Sequence, residues 1–571
     1  MKLSKNTLLL TFLTALTFGT SLSLHGIFGW FRNPQPTRPR HIPQGDYTYA
    51  KQSLTWFINK KMREHNIKGM SIALVDDQDI VWASGFGLAD VEKEIPVTRE
   101  TIFQIGSTSK LFTALAVMQL HDRGQINIDD PITRYIPEFA IQSHDQNIAP
   151  ITVRNLLTHH SVLSDSLFVQ DVTKYIPPAQ ISLDTVIEKL NHDFLAIPPN
   201  LAFRYSNVGF SLLAALVEHV TGKNFSDYVD ENICSPLGMT KSSFTLKEES
   251  RPLFAAGYMN DGVNFGWPGI DYPDGFMYSN VMELSIFMRM FLNNGTYNGK
   301  QIISPQTLND MLSRQNKDIP LDFDFVRGLG WWINYDFKKL NIGDIFYHGG
   351  FNAGFHSMLA IVLQHKIGVV IQTNTSKDDA EIQDKAVEPI AQEALRLLYE
   401  IKVGRSHEPK PIPPIPPVTT IPAKELAKHV GTYFGYFGLA TIKLENGRLL
   451  LNIEDDKEYI LIPHENDLFY AKEPIFFGLL KRTPKNNIPF HLQTVSERKI
   501  ISVPNDGVEM LFASEIEVKP VPERWKQRVG TYTIENLAPY DDAPNSVEIS
   551  FDEETQKLEL SYIHPLIKSD I

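Results

Sequence analysis

The sequence predicts an α/β or α+β body over residues 44–400 followed by a β-rich tail over residues 424–571, and three observations carry that expectation. Two proline clusters, Asn33–Pro43 (NPQPTRPRHIP) and Pro409–Pro422 (PKPIPPIPPVTTIP), fix φ and lack amide hydrogens, so neither continues a helix or a central strand. They set residues 25–43 apart as a spacer and 401–423 as a linker. The body has strand-like runs near its start and helical runs behind them, and the tail alternates apolar and polar residues around an Asn446-Gly447 turn.

Each element follows from its pattern. Met70–Phe86 (MSIALVDDQDIVWASGF) reads as two strands around a polar turn, and Leu111–Leu120 is apolar on nearly every face, as a buried helix would be. Pro389–Ile401 again has helical spacing. In the tail, Ala440–Ile453 (ATIKLENGRLLLNI) is a hairpin pattern closed by Asn-Gly, a dipeptide suited to a turn with two positive φ values. Val430-Gly-Thr-Tyr433 recurs as Val529-Gly-Thr-Tyr532, with strand-like VEISF and KLELSY behind the second copy, which reads as a partial internal repeat.

A chain of 571 residues exceeds one hydrophobic core. With 43% apolar and 21% charged residues it has ordinary globular usage, which argues against disorder and against a multi-span membrane protein. A net charge of −13 without a basic block excludes a nucleic-acid partner, since phosphate binding needs a clustered positive face. Residues 1–24 pair a basic start (Lys2, Lys5) with an uncharged apolar run from Leu8 to Leu24, the pattern of an export signal or of an uncleaved anchor tethering the chain to a membrane. The expected location is therefore periplasmic or secreted. Cys234 is the single cysteine, so no internal disulfide forms.

The chemistry centres on Phe103–Leu120 (FQIGSTSKLFTALAVMQL), where Ser107 and Lys110 stand at i and i+3 and share a helix face. A helix beginning near Ser107 points its unpaired amides and positive dipole end at the hydroxyl, stabilising an oxyanion. Nucleophilic serine chemistry needs that, plus a proton acceptor within hydrogen-bond reach. The bland alternative is a capping serine and a solvent-directed lysine, and Ser496–Lys499 in the tail repeats the spacing with no apolar helix behind it.

Phe103–Leu120, with the HDRGQINIDDPITRYIPEF that follows, resembles the active-site helix and loop of the serine β-lactamase and penicillin-binding-protein superfamily. Further segments resemble it in the same order: ITVRNLLTHHSVL (151–163), FRYSNVGFSLLAALVEHVTG (203–222) with Tyr205-Ser-Asn207, and FYHGGFNAGFHS (346–357) with His348-Gly349-Gly350. Tyr278-Ser-Asn280, Tyr258-Met-Asn260 and His429-Val-Gly431 also fit single signatures, but outside that context. The resemblance implies a five-stranded antiparallel sheet flanked by helices, an all-helical subdomain, and a site between them. It further implies that Ser107 is acylated, that Lys110 takes or relays its proton, that Tyr205 protonates the leaving group, and that Asn207 holds Lys110 and a substrate amide. The oxyanion would sit on the amides of Ser107 and Phe351, with Gly349 and Gly350 letting substrate lie along the strand. Neither cofactor nor metal is implied.

Two departures bear on activity. His348 stands where β-lactamases of the superfamily have lysine; a phenol must fall about three pKa units from about 10 to act as a base near neutrality, and an imidazole with an ordinary pKa of about 6.5 contributes little of the field that would lower it. The His-x-Gly form occurs among DD-carboxypeptidases and esterases of the superfamily, so hydrolysis of a D-alanyl stem peptide or a carboxylic ester ranks above β-lactamase activity, and a non-catalytic scaffold is the alternative of another class. Val162 replaces the usual glycine of the HTSGL segment, which predicts a differently shaped loop. The neighbouring His159 and His160 lack further ligands at metal spacing and read as loop or packing residues. Neither G-x-S-x-G nor H-E-x-x-H occurs.

Overall fold

The computed structural model describes residues 34–563 except 144–146, 165–181, 196, 260–262, 266–272, 338, 378–380, 412–413, 436–437, 454–456, 473–488, 496, 506–507, 517–522, 534–545 and 553–556. The N-terminal run 8–24 lies outside the described residues. Among the described residues no helix is long and apolar enough to cross a membrane. The chain divides into two units, one within residues 1–167, 178–413 and 506–508, the other within 168–177, 414–505 and 509–571.

In the first unit, helix α1 (Thr48–His65) leads into strand β1 (Gly69–Asp76), which is buried at all but its last residue. A strand so uniformly apolar must be covered on both faces. Met70, Ile72 and Leu74 pack with α1 and with helix Glu388–Val403, while Ala73 and Val75 face the opposite core. Strand β2 (Asp79–Asp90) pairs with β1, and the two-residue β3 (Ile95–Pro96) ends that edge. Helix α2 (Lys110–Asp122), buried from Lys110 to Gln119 and beyond, is preceded by a 3-10 turn over Gly106–Ser109. Short helix α3 (Val153–Leu157) is opened by a reciprocal Thr152–Asn155 cap, and α4 (Leu183–Leu190) and α5 (Asn207–Thr221) complete this helical side.

Strands β4 (Trp332–Ile333), β5 (Phe346–Asn352), β6 (Phe355–Val362) and β7 (Ile367–Thr373) then return to the sheet, whose order is β4-β5-β6-β7-β1-β2-β3. All its pairings are antiparallel. The five long strands are the expected five-stranded sheet, and a two-residue strand extends each edge. The register sets Gly350 opposite Ser357 and His348 opposite Leu359.

The second unit holds a closed eight-stranded antiparallel barrel running consecutively from Gly431–Gly435 to Val508–Glu515. Asn446 and Gly447 have φ values of 51° and 76°, as their hairpin requires. Leu449, Leu451, Phe469 and Leu492 fill the interior. The second copy of the repeat forms a three-stranded sheet, Gly530–Thr533, Ser546–Asp552 and Lys557–Ile563. Both copies share a local device: the tyrosine hydroxyl donates to the carbonyl four residues upstream, Tyr433 to His429 and Tyr532 to Arg528, each at 2.7 Å. The same four residues thus start a closed barrel once and a three-stranded sheet once.

Candidate active site

The turn that starts α2 brings Ser107 and Lys110 together. Lys110 Nζ lies 3.1 Å from Ser107 Oγ, 2.6 Å from Asn207 Oδ1 and 2.5 Å from the Asp274 carbonyl oxygen. The amine is fully buried. Asn207 is positioned as the first residue of α5, whose cap Ser206 accepts from Gly209 N and donates to the Ser164 carbonyl. The Asp274 carbonyl is delivered by a turn laced to α2: Thr113 Oγ1 donates to Pro273 O, and Met277 N donates to Ser109 Oγ. A main-chain acceptor has no residue-type signal, so sequence patterns do not reveal this third ligand of the amine.

The strand side approaches unusually closely. Thr108 Oγ1 and Ser357 Oγ are 2.8 Å apart, and Ser357 Oγ donates to the Ile105 carbonyl. A Cβ at Gly350 would lie 1.9 Å from that carbonyl oxygen, and one at Gly106 would lie 2.4 Å from Phe351 N with φ at +53°. These two glycines set the Phe351 amide against the Gly106–Ser109 turn that carries Ser107. The space at Gly349 is met by Gln383 Nε2 at 2.9 Å. The paired glycines of β5 therefore admit the protein's own elements.

Tyr205 precedes α5 with its ring 5.1 Å from Lys110 Nζ and stacked on His159 at 4.4 Å. Tyr278, one of the two further Tyr-x-Asn matches, is fully buried with its hydroxyl accepting from Gln104 Nε2. His159 accepts from Ser206 N through Nδ1, which leaves the proton on Nε2. Burial, and then the neighbourhood of Lys110, hold this imidazole neutral, well below its ordinary pKa. His160 is a packing residue paired with the buried Asp322 at 2.7 Å. Among the described residues no cluster of three metal-ligating side chains occurs.

His348 is 2% exposed, and its Nδ1 donates to the Gly349 carbonyl at 2.6 Å. Burial first, then Lys110, push its pKa down to about 3, so the ring is neutral at physiological pH. Phe351, by contrast, is exposed and packs its ring on His356. Val162 adopts φ +57°, the left-handed conformation that glycine favours, so the loop keeps a glycine-type path with a β-branched residue in it. The expected difference in shape does not show at this backbone angle.

The geometry is that of a hydroxyl on a helix terminus beside a buried amine. A family model described as Beta-lactamase matches residues 55–392. Beta-lactamase-like protein 2 of Dictyostelium discoideum is 27% identical over 455 residues, 74% of this chain and 78% of that protein. Protein flp of Staphylococcus aureus strain N315 is 24% identical over 335 residues, 58% of this chain and 64% of its own length. Among solved structures, the octameric penicillin-binding protein homologue from Pyrococcus abyssi superposes with a TM-score of 0.54 at 25% identity, covering 81% of this chain and 99% of that one. SurE shares the fold, with a TM-score of 0.56 at 22% identity over 82% and 99% of the two chains.

Proposed function

This chain belongs to the beta-lactamase family, and from that premise we propose that it is an exported serine hydrolase that cleaves an amide or ester through an acyl-enzyme on Ser107. The observation that supports this best is the setting of Lys110. Two directions around Nζ end on fixed acceptors, Asn207 Oδ1 and the Asp274 carbonyl, and the third ends on Ser107 Oγ. A neutral amine so placed directs both N–H groups at the acceptors and turns its lone pair to the hydroxyl.

In the proposed cycle, Ser107 Oγ attacks the substrate carbonyl while its proton passes to Lys110. The oxyanion forms at the amides of Ser107 and Phe351, and a donor of this kind is worth about 100- to 1000-fold in rate. The proton then reaches the leaving nitrogen or oxygen through Tyr205, the C–N or C–O bond breaks, and water later hydrolyses the ester on Ser107 by the reverse route. Asn207 orients Lys110 and receives the substrate amide, and the strand from His348 through Gly349 and Gly350 to Phe351 lines the acyl side.

The substrate we propose is a D-alanyl stem peptide or a carboxylic ester. A neutral, buried His348 offers no charge to a substrate carboxylate, which favours the ester of these two and ranks β-lactams below both. Export rests on the signal-like residues 1–24, and the run 8–24 would serve as a membrane tether where it is retained. Labelling of the purified protein with a fluorescent fluorophosphonate and a fluorescent penicillin, each against Ser107→Ala, tests the reading. Phosphonate labelling alone indicates an esterase and labelling by both a DD-peptidase. If neither labels the parent protein, the scaffold alternative stands and the hydrolase reading fails.

A further inference from the structure

Behind Tyr205 and His348 lies a charge that the reaction scheme does not use. Arg327 is 1% exposed, and none of its three guanidinium nitrogens has a hydrogen-bond partner among the described residues. Its backbone is well anchored: the amide donates to Asn316 Oδ1, the carbonyl accepts from Gln315 N, and a bridge to Trp332 closes the RGLGWW turn. That turn folds the guanidinium between two rings, with Cζ 3.6 Å from the centroids of both Phe325 and Trp332 and 4.4 Å from that of Phe203. Aromatic faces attract a cation, but they replace only part of its hydration.

Those rings are the ones that touch the site. Trp332 lies 6.3 Å from the Tyr205 ring and 6.0 Å from His348, and Phe203 lies 5.7 Å from His159. The guanidinium is thus one side chain removed from each of them. We propose that Arg327 is a positioning residue for the Ser107 reaction, a fixed positive charge held by Trp332 and Phe203 one ring away from Tyr205 and His348. This rests on the serine-hydrolase reading.

The surrounding groups offset that charge only in part, the carboxylates of Asp322 and Asp336 opposing burial's effect on it. Asp322 is buried nearby, but its oxygens are taken by His160 Nε2, Asn316 Nδ2 and the Phe203 amide. Tyr335, Asp336 and Tyr347 also face the guanidinium, with Tyr347 far above its ordinary pKa and Tyr335 raised to about 12, both chiefly by burial and so neutral. On the site side stand the neutral His159 and His348 and the amine of Lys110. Burial lowers Arg327 itself to about 10, which keeps it cationic at neutral pH. A buried, unbonded cation costs stability, and its effect on a proton acceptor across two rings does not require contact.

The test is the rate of fluorophosphonate labelling of Ser107 between pH 5 and pH 10, measured with thermal stability in the parent, Arg327→Met, Arg327→Gln, Arg327→Lys and Arg327→Met/His348→Lys. Removing a cation raises the pH at which the accepting base loses its proton, so the neutral variants should shift the acidic limb upward by about one pH unit. Their melting temperatures should be unchanged or higher. Arg327→Lys should hold the limb near its parent position, and a lysine at 348 should return it in the Arg327→Met background. A lower plateau with an unmoved limb overturns the proposal and leaves Arg327 structural. Failure of both neutral variants to fold overturns it too, since the guanidinium would then be required by the fold. An unlabelled parent protein instead removes the hydrolase reading.

Discussion

The two walls of the site are built on opposite principles. On the side of Ser107 polar side chains are partnered: Lys110 has three ligands, Ser109 bridges Gly106 and Met277, and Thr108 meets Ser357. On the wall behind Tyr205, the Nε2 atoms of His159 and His348, the indole nitrogen of Trp332 and all three nitrogens of Arg327 lack partners among the described residues. Directional bonds fix where atoms are, so damage to the first wall should appear as lost geometry. Buried groups without bonds fix a field instead, so damage to the second should appear as a change in protonation.

The largest effect is expected where geometry is tightest. In Gly350→Ala the new methyl would stand 1.9 Å from the Ile105 carbonyl oxygen, so strand β5 must move off the nucleophile turn. Separating the Phe351 amide from Ser107 should lower the labelling rate by about 100- to 1000-fold, the usual cost of one oxyanion donor, with circular dichroism unchanged. A rate close to the parent's would mean that the close approach is not needed for reactivity.

The second wall predicts an acid response. His348 at about 3, His356 at about 4 and His159, also well below its ordinary value, are all depressed by burial, and all would titrate near 6.5 when unfolded. The unfolded chain therefore binds more protons as pH falls below about 6.5, and the first unit should lose up to about 1.4 kcal/mol per pH unit for each such histidine down to its folded value. Urea midpoints across that range measure it. His348→Gln should remove one histidine's share of the slope, and an unaltered slope would show that this ring is not held neutral.

Much of this was legible because it is written in residue types. The uniformly apolar β1 and α2 announced buried elements, Asn446-Gly447 announced its hairpin, and Ser107, Lys110, Tyr205 and Asn207 stand in spaced signatures. What was hidden depends on backbone or on packing. The Asp274 carbonyl could belong to any residue, and closure of eight strands into a barrel is a property of register and tilt. Arg327 carries no sequence signal of its own; only the rings folded around it give it meaning. Glycine was legible as a need for closeness, but the approach of the Ile105 backbone to Gly350 was not.

Val162 gives the smallest and sharpest test of the second wall, because the loop that carries His159 is the one held in left-handed geometry, at φ 60° for His159 and 57° for Val162. At an ordinary buried helical position such as Val217, replacement by glycine is about 1 kcal/mol worse than replacement by alanine. At position 162 both substitutions lose the same buried methyl groups, but alanine retains a Cβ that a left-handed backbone disfavours by about 1–2 kcal/mol. Glycine's greater unfolded-state freedom offsets about 0.5–1 kcal/mol of that. Val162→Gly should therefore match or exceed Val162→Ala in stability by chemical denaturation, reversing the order found at Val217, with the pH profile of labelling unmoved in both. If alanine is the better residue at 162 as well, the loop relaxes out of the left-handed region. His159 is then held against Tyr205 by its stacking and its bond from Ser206 N, without help from the strained path of the chain.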